Sequence, residues 1–435
     1  MSRAHLTSAH AALLLAGLLV AGLPGRAHAT PTEQIGFGTR GPGMGNAMVA
    51  GQDALGAPIY NPAAGVHGTG EYEFGLGYTY SHLSIEVNDR DPNTLPVRGF
   101  WFAGAVPFDI GSAHLSFGLG AYVPDQFLLR AHTVPGTEQR LVMWDNGPHR
   151  LVVNATLAWR IADWLSIGVG VSILGSVRGN QVDFTLDADP AGTRAESTLS
   201  IDFPILAAPI VGVIVTPIPA LRLGARFSDE LGLDVVLNVQ ANVRVPGTPV
   251  DGVVDFQFSG PSGFTPRELV LGGSGDLGRF TFSAELAWQQ WSRVNQLTAQ
   301  VQVDVDLGAP VPTSSFVEPH PNLRNTWTPR LGVEYRLPLA SERELQLRVG
   351  YWFSQTPVPI QTGITNYADA NRHVGTLGGT YSFDIAETRV SLEGAFQLQY
   401  MQNRESLKDD PTTSGGDLTV GGPIYVFSLG ARVSL

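Results

Sequence analysis

The chain has 435 residues, of which 43% are hydrophobic and 15% are charged, and its formal net charge at pH 7 is -12. Charged residues make up about 25% of a typical soluble protein, so a large part of this protein's surface must be poor in charge. The acidic balance and the single lysine, Lys408, argue against nucleic acid as a partner. Because cysteine is absent, the chain has no disulfide framework and no thiolate metal site.

Residues 1–29 have the three parts of a secretory signal peptide. Arg3 precedes an apolar run at 11–23, and the small-residue sequence Ala27-His28-Ala29 follows that run. The run is shorter than the roughly 20 residues that a membrane-spanning helix needs. We therefore expect export, with cleavage after Ala29. Charged residues, Gly or Pro interrupt every later apolar run, so a helical membrane protein is not expected.

Residues 30–70 precede the region of regular alternation and are rich in Gly and Ala. A short helix is expected at 46–55, followed by a turn at 60–63. A disordered tail is the alternative, but residues such as Phe37 and Ile59 make the segment too apolar for one. We therefore expect this segment to be packed inside the fold.

From residue 71 onward, apolar and polar residues alternate with the period of two that is typical of β-strands. The clearest stretch runs from Val390 to Tyr400, where the intervening residues are mostly Ser, Glu and Gln. Many stretches have about the 9–11 residues of a tilted strand that crosses a bilayer. Strands are predicted at 71–82, 97–108, 112–123, 149–160, 164–177, 200–216, 220–244, 252–275, 279–305, 325–338, 343–355, 372–384, 388–403 and 424–435.

The connections between these strands alternate in length. Short turns such as 161–163 alternate with long loops such as 179–200 and 403–422. A water-soluble sandwich could have the same residue alternation, but short turns at one end and long loops at the other are typical of an outer-membrane barrel. The predicted fold is all-β: a transmembrane antiparallel β-barrel of about 14 strands formed by residues 71–435, with residues 30–70 as a plug inside its lumen.

Several groups of residues occur in an order that points to one known family. Near the N-terminus are residues 41–47, the pair Asp53-Ala54 and the sequence Tyr60-Asn61-Pro62-Ala63-Ala64-Gly65. Near the C-terminus are residues 329–338 and a block within 350–374. Together these motifs resemble the long-chain fatty acid transporter family of outer-membrane proteins, called FadL, which includes importers of aromatic hydrocarbons.

The resemblance implies a barrel closed on the periplasmic side by an N-terminal hatch, residues 30–70, with an apolar ligand held inside and released through a gap in the wall. Within the hatch it points to Asp53, Asn61, Pro62 and Ala63. Pro62 fixes one backbone dihedral and the Asn61 amide can bond nearby backbone, so this turn is expected to be a rigid stop that shifts when ligand binds. The alternative is a simple turn before the first strand.

In the FadL family the gap in the wall arises from a kinked third strand. Here that strand is expected at 113–123. Its Gly118 and Gly120, followed by Pro124, would supply the backbone freedom and the missing donor that a kink or bulge needs. The alternative is that glycines are simply common in barrels.

Asp369, Arg372 and His373 lie where a long loop enters a late strand of the predicted barrel. They are candidates for contacts to ligand or to the loop, because a carboxylate ligand could pair with Arg372. The alternative, which we favour, is a pair of Asp369 and Arg372 at the rim that holds the loop in place.

The sequence contains no catalytic or metal-binding motif. Neither a Gly-x-Ser-x-Gly elbow nor a His-Glu-x-x-His pattern is present, and the histidines are scattered. An outer-membrane hydrolase would need a nucleophile and a histidine that meet only in the fold. We therefore expect no enzyme activity, no cofactor and no metal.

The expected function is passive uptake of hydrophobic small molecules, such as long-chain fatty acids or aromatic hydrocarbons, by a monomer in the Gram-negative outer membrane. The partners expected are the ligand and outer-membrane lipid. A structural or adhesive barrel and a general porin are the alternatives. An apolar lumen would favour transport, a polar and plugged lumen would favour a structural role, and a water-filled lumen without a plug would favour a porin.

Overall fold

The computed structural model describes residues 31–126, 137–145, 148–175, 178–189, 192–202, 205–244, 251–297, 300–306 and 319–435. The expected signal peptide at 1–29 lies outside the described residues. Among the described residues, no helix is long and apolar enough to span a membrane.

Antiparallel strands close into a barrel of 14, in which each strand pairs with the next and the last pairs with the first. The predicted all-β barrel is therefore confirmed. The closing pair runs from Glu73 opposite Ser434 to Leu83 opposite Ile424. The barrel strands are β1 (Glu73–Leu83), β3 (Arg98–Ile110), β4 (Ala113–Pro124), β6 (Val152–Ala162), β7 (Leu165–Gly175), β10 (Ile205–Ile218), β11 (Leu221–Ser228), β14 (Arg267–Leu277), β15 (Phe280–Gln290), β17 (Thr326–Pro338), β18 (Glu344–Ser354), β20 (Arg372–Ile385), β21 (Thr388–Ser406) and β22 (Leu418–Ser434).

The outer face of the barrel is apolar and the inner face is largely polar. Along β1, Phe74 and Leu76 are about half exposed, at 49% and 58%, whereas Glu73, Thr79 and Ser81 are buried. Apolar residues at outward positions form the surface that a bilayer covers in a transmembrane barrel. This outer surface accounts for the low charge content of the chain.

Beyond the long-loop end of the barrel, five strands form a second sheet in the order β16-β13-β12-β8-β9. The predicted long loop at 179–200 is wrong, because the hairpin of β8 and β9 occupies it. The predicted strands at 220–244, 252–275 and 279–305 are each divided between the barrel and this sheet. The five strands are β8 (Arg178–Asp189), β9 (Gly192–Asp202), β12 (Leu231–Arg244), β13 (Asp251–Thr265) and β16 (Gln300–Asp306).

The second sheet continues the pairing of the barrel. Ser228 pairs with Glu268 in the barrel, and after a short interruption Leu231 pairs with Thr265 in the same register. Within the sheet, Val239 pairs with Val182 on one side and with Phe256 on the other, and Phe256 pairs with Val303.

The hatch region lies inside the barrel, where its short helices contact strands on several sides of the wall. These helices are α1 (Pro31–Ile35), α2 (Arg40–Gly43), α3 (Ala57–Tyr60) and the 3-10 helix η1 (Pro62–His67). The helix predicted at 46–55 is wrong. Gly45 and Asn46 adopt left-handed backbone conformations, with φ of 62° and 56°, which end the helical path before it reaches that segment.

The remaining elements lie in the loops at the long-loop end. Strand β5 (Arg140–Leu141) pairs with β19 (Tyr367–Ala368), and β2 (Glu86–Val87) extends the edge of β22. The other short helices are η2 (Trp291–Arg293) and α4 (Pro411–Ser414).

Candidate functional site

The hatch sits against a belt of glycines on the inner wall of the barrel. A Cβ atom at Gly212 would lie 1.9 Å from Oδ1 of Asn61, and one at Gly350 would lie 2.1 Å from the backbone nitrogen of Gly45. Glycine in a strand commonly marks a place where another backbone approaches closely. The glycine belt comprises Gly118, Gly120, Gly168, Gly212, Gly224, Gly272, Gly332, Gly350 and Gly378.

Asn61 links the hatch to the wall. Its Nδ2 donates to the backbone oxygens of Val49 at 2.6 Å, Val213 at 3.2 Å and Ala225 at 3.4 Å, and its Oδ1 accepts from the backbone nitrogen of Ala63 at 3.1 Å. The last bond caps η1, which starts at Pro62. Asn61 and Ala63 are fully buried. The turn is therefore held by two neighbouring strands, β10 and β11, and by the hatch itself.

Buried ion pairs fix the hatch at the short-turn end of the barrel. Arg40 pairs with Glu334 at 3.1 Å, and Glu334 also pairs with Arg348 at 2.7 Å. Burial opposes the charged form of Arg40, but Glu334 and Asp53 together outweigh it and the pKa of Arg40 is raised. The predicted hatch residue Asp53 pairs with Arg432 at 3.1 Å. Two positions of the hatch are thus bound to opposite charges on the wall.

Next to these ion pairs, a polar cavity of about 270 Å³, called the lower cavity, occupies the short-turn end of the lumen. It is lined by charged residues of both signs, among them Asp53, Glu344, Arg348, Glu393 and Arg432. An apolar molecule in this cavity would displace water from charged groups and offer them no hydrogen bond in return, which costs free energy.

On the long-loop side of the hatch lies a second cavity, called the upper cavity, with a volume of about 80 Å³. Its wall is mixed, since it combines apolar side chains with hydrogen-bonding ones. Tyr60 forms part of its floor, where its hydroxyl donates to Oδ1 of Asn46 at 2.9 Å and burial raises its pKa. The apolar lining includes Ile59, Ile210, Leu231, Trp291 and Trp352, and the polar lining includes Asn154, Ser228, Arg226, Glu268 and Arg330.

The C-terminal half of this barrel also matches a known family in sequence. Residues 277–434 match the model of the family described as outer membrane protein transport protein (OMPP1/FadL/TodX). The protein has a FadL-type barrel. The predicted resemblance to the FadL family is confirmed.

Solved structures of the same type match nearly the whole chain. A FadL homologue from Pseudomonas aeruginosa is 16% identical with a TM-score of 0.60, and the match covers 91% of this chain and 98% of that one. The toluene transporter TodX of P. putida is 16% identical with a TM-score of 0.57, covering 92% and 99%. The CymD monoaromatic hydrocarbon channel is 15% identical with a TM-score of 0.55, covering 92% and 98%. At these identities the structures establish the fold alone. No curated protein matches the chain in sequence.

In this FadL-type barrel the third strand, β4, pairs with both neighbours in unbroken register. The pairs run from Ile110–Ala113 to Gly99–Pro124 on one side, and from His114–Arg160 to Tyr122–Val152 on the other. The two glycines of β4 therefore do not mark a bulge. Instead they face the hatch, where a Cβ at Gly118 or Gly120 would come within 3.1 or 3.2 Å of Pro58. A lateral opening at this strand, including Pro124, stays a prediction.

Asp369 and Arg372 line the upper cavity, but they do not pair with each other directly in the described part of the chain. Arg372 donates to Gln399 at 2.8 Å and to Gln34 of the hatch at 2.6 Å, and it lies 5.0 Å from the ring centroid of Trp144. Asp369 accepts from the hydroxyl of Thr356. Burial raises the pKa of Asp369, while Arg372 opposes that shift. The predicted pair of Asp369 with Arg372 is therefore wrong, because each residue has other partners. Both residues nevertheless hold loop and hatch segments in place.

His373 does not belong to this cavity. It follows Arg372 in β20 and so lies on the outer face, where its Nδ1 contacts the hydroxyl of Tyr351 at 2.7 Å and its Nε2 contacts Gln402 at 2.9 Å. The position fits a polar tip at the edge of the lipid-facing surface. Asp369, Arg372 and His373 are close in sequence and were predicted to act together. Because successive residues of a strand face opposite sides of the sheet, His373 is separated from Arg372.

A histidine of the hatch lies close to a serine hydroxyl of the wall, and this contact has a structural role. Nε2 of His67 lies 2.8 Å from Oγ of Ser166, and Ser166 is fully buried. Burial, together with Arg160 and Arg222, lowers the pKa of His67 to about 4. A buried serine cannot meet a substrate, so the pair serves to hold the end of η1. In the residues that the structure describes, no three metal-binding side chains cluster.

Proposed function

We propose that the protein is a passive channel that admits hydrophobic small molecules, such as long-chain fatty acids or aromatic hydrocarbons, through the outer membrane. The observation that carries this proposal is the cavity between the hatch and the roof, which is a cluster of apolar loop side chains that includes Trp144, Leu297 and Tyr367. In the proposal the chain is exported with a cleaved signal peptide and works as a monomer, without cofactor or metal.

The cavity lining supplies the apolar surface that cargo would meet, and the roof above it is packed against the hatch. Trp144, Leu297 and Tyr367 are buried there in one cluster with Ile35 of the hatch. A bound aromatic ring that buries about 200 Å² of apolar surface would gain about 5 kcal/mol before the entropy of association is subtracted. Binding therefore does not require an ion pair to the cargo.

The polar lower lumen limits the route. The sequence analysis linked an apolar lumen to transport and a polar lumen to a structural role. The polarity of this lumen changes along the barrel axis, because the upper cavity has a mixed lining and the lower cavity a charged one. Apolar cargo in the upper cavity would avoid the lower one and leave through the wall above the hatch ion pairs. Exit near Gly118, Gly120 and Pro124 is one form of this route.

We place the moving part of the hatch at α1. This helix lies outside the glycine belt and borders the upper cavity through Thr32, Glu33 and Gln34. The bonds of this segment to the wall include those from Gln397 to the oxygen of Ile35 and from Gln399 to the oxygen of Gln34. These two neutral bonds typically contribute only about 0.5–1.5 kcal/mol each, and the bond from Arg372 to Oε1 of Gln34 at 2.6 Å is charge-assisted and typically contributes about 1.5–3 kcal/mol. Cargo would have to displace all three.

A matched pair of substitutions tests the route. Ile210 is buried in the cavity wall, and its neighbour Val211 faces outward on the same strand. We expect Ile210→Trp to lower uptake of labelled oleate and labelled toluene at least several-fold by filling the cavity, and Val211→Trp to leave it unchanged. Barrel abundance in the outer membrane is measured for both. Equal uptake by the two variants would count against the cavity as the route.

A second candidate is an adhesive or structural barrel. The five-stranded sheet of β8, β9, β12, β13 and β16 beyond the barrel favours it, because such a sheet offers a large surface outside the membrane. Deletion of the β8–β9 hairpin distinguishes the candidates, since adhesion would be lost without loss of uptake if the sheet serves only adhesion. The filled lumen argues against a general porin.

A further inference from the structure

The upper cavity contains hydrogen-bonding atoms that its protein neighbours leave unused. We infer that it binds apolar molecules that carry a hydroxyl group, such as alcohols or phenols, in preference to plain hydrocarbons or carboxylates. This inference rests on the proposed uptake function and narrows its cargo.

Two buried side chains carry the inference. Asn154 and Ser228 both line the cavity and each is 4% exposed. Within the described residues, Oδ1 of Asn154 and Oγ of Ser228 have no hydrogen-bond partner. Buried polar atoms of this kind almost always have a partner in folded proteins, so a partner from outside the chain is expected.

The amide of Asn154 has a defined orientation. Its Nδ2 donates to the backbone oxygen of Pro58 in the hatch at 2.9 Å, so Oδ1 is the atom left for the cavity. A carbonyl oxygen only accepts, and the ligand must therefore donate. Ser228 can accept or donate, so it places no further restriction on the ligand.

These atoms distinguish between classes of cargo. A hydrocarbon has no donor, and a carboxylate at neutral pH has only acceptors. A hydroxyl group has one donor and two acceptors, so it can bond either Asn154 or Ser228. An ammonium group would donate as well, but burial of a charged group costs far more free energy than burial of a neutral hydroxyl group.

The cations of the cavity do not favour a carboxylate in its place. Arg226 is paired with Glu268 at 2.6 Å, so its charge is neutralised although its Nε has no hydrogen-bond partner within the described residues, and Arg330 is paired with Glu285 at 2.6 Å. Arg372 already donates to Gln399, to Gln34 and to Ser354. A second carboxylate would have to compete with these partners.

The apolar part of the ligand has its own surface in the same cavity. Ile210 pairs with Ser228 across β10 and β11, so an apolar side chain flanks the free hydroxyl. Ile59 and Trp352 add further apolar surface to the lining. A carbon skeleton can therefore remain buried while its hydroxyl group bonds the wall.

Three ligands with one carbon skeleton test this inference: propylbenzene, 3-phenylpropan-1-ol and 3-phenylpropanoate. Binding to the full-length protein in lipid nanodiscs is measured by calorimetry, with empty nanodiscs to correct for partition into lipid. We expect the alcohol to bind at least tenfold more tightly than the carboxylate. We also expect it to bind at least as tightly as propylbenzene, although water solvates a hydroxyl group more strongly than a methyl group.

Ser228→Ala should lower the affinity for the alcohol about tenfold and leave that for propylbenzene unchanged. Ser391→Ala, at a buried serine in the lower cavity, is the matched control and should change neither. Asn154→Leu is the second variant and should act on the alcohol in the same direction.

Two results would overturn the inference. If propylbenzene binds more tightly and Ser228→Ala acts on all three ligands alike, the cavity takes hydrocarbons and only the ligand class fails. If the carboxylate binds most tightly and Arg372→Gln abolishes its binding, the cavity is an anion site. Failure of the uptake proposal itself appears separately, as equal uptake by the Ile210→Trp and Val211→Trp variants.

Discussion

Substitution of a glycine in the belt should unseat the hatch without disturbing the barrel. At Gly212, an alanine would place its Cβ 1.9 Å from Oδ1 of Asn61, far inside normal contact. Asn61 would have to move by about 1.5 Å to restore contact. Because β10 is paired on both sides, the hatch rather than the strand should move.

The magnitude follows from two costs. Overpacking of a buried site costs about 1–3 kcal/mol. Displacement of the Asn61 amide from the backbone oxygens of Val49 and Val213 leaves buried polar groups without partners, which adds about 1–3 kcal/mol. Gly212→Ala should therefore disfavour the seated hatch by at least about 2 kcal/mol, or roughly 30-fold in population.

Two assays report on the hatch. In Gly212→Ala, trypsin should cleave at Arg40, which in the seated hatch is paired with Glu334. Single-channel conductance of this variant in planar bilayers should also rise, because water enters the lumen. Gly375→Ala is the control, because a Cβ at Gly375 meets no atom within 4 Å. If Gly212→Ala and Gly375→Ala give the same cleavage and conductance, the glycine belt does not seat the hatch.

Three further predictions concern the contacts of the hatch. Arg40→Ala leaves Glu334 with Arg348 and Arg336 as partners, so no buried charge is left unpaired and hatch seating should weaken by only about 1.5–3 kcal/mol, measured as a rise in single-channel conductance; restoration of the low conductance by Arg40→Lys would show that the charge matters. Asn61→Ala should weaken seating by about 1–3 kcal/mol and raise conductance, and an unchanged conductance would refute its role as an anchor. For His67, the pKa of about 4 in the folded state lies below the unfolded value of 6.5, so its contribution to stability is complete above about pH 6.5 and is lost as the pH falls toward 4. Thermal unfolding of wild type and His67→Gln at pH 7.5 and pH 5 measures this contribution. An equal fall in the unfolding temperature of both proteins would exclude His67 as the cause.

The barrel could be predicted because two sequence signals agree on it. Alternation of period two gives the strands, and the alternation of short and long connections distinguishes a membrane barrel from a soluble sandwich. The long stretch at 220–244 could not be divided correctly, because the register of Ser228 continues through Leu231 and the alternation carries no mark of the point where the strand leaves the barrel.

The contacts of the hatch were only partly visible in the sequence. Asn61 and Asp53 were found through their motif, but their partners Val213 and Arg432 lie far away in sequence and meet them only when the barrel closes. Glycines such as Gly212 and Gly350 did carry a signal, since they occupy inward positions of their strands. For Gly118 the sequence left open whether a kink or the general frequency of glycine in barrels was the reason, and the structure shows close approach of Pro58 in the hatch.

The position of a bound ligand tests the account most directly. Crystals of the full-length protein soaked with a bromine-labelled phenylpropanol would show the bromine by its anomalous scattering. If apolar cargo binds in the upper cavity, the bromine will lie there, beside Ile210 and Trp352, with the hatch ion pair of Asp53 and Arg432 intact. A bromine in the lower cavity, beside Arg348 and Glu393, would contradict it, because apolar cargo would then pass through the charged end of the lumen.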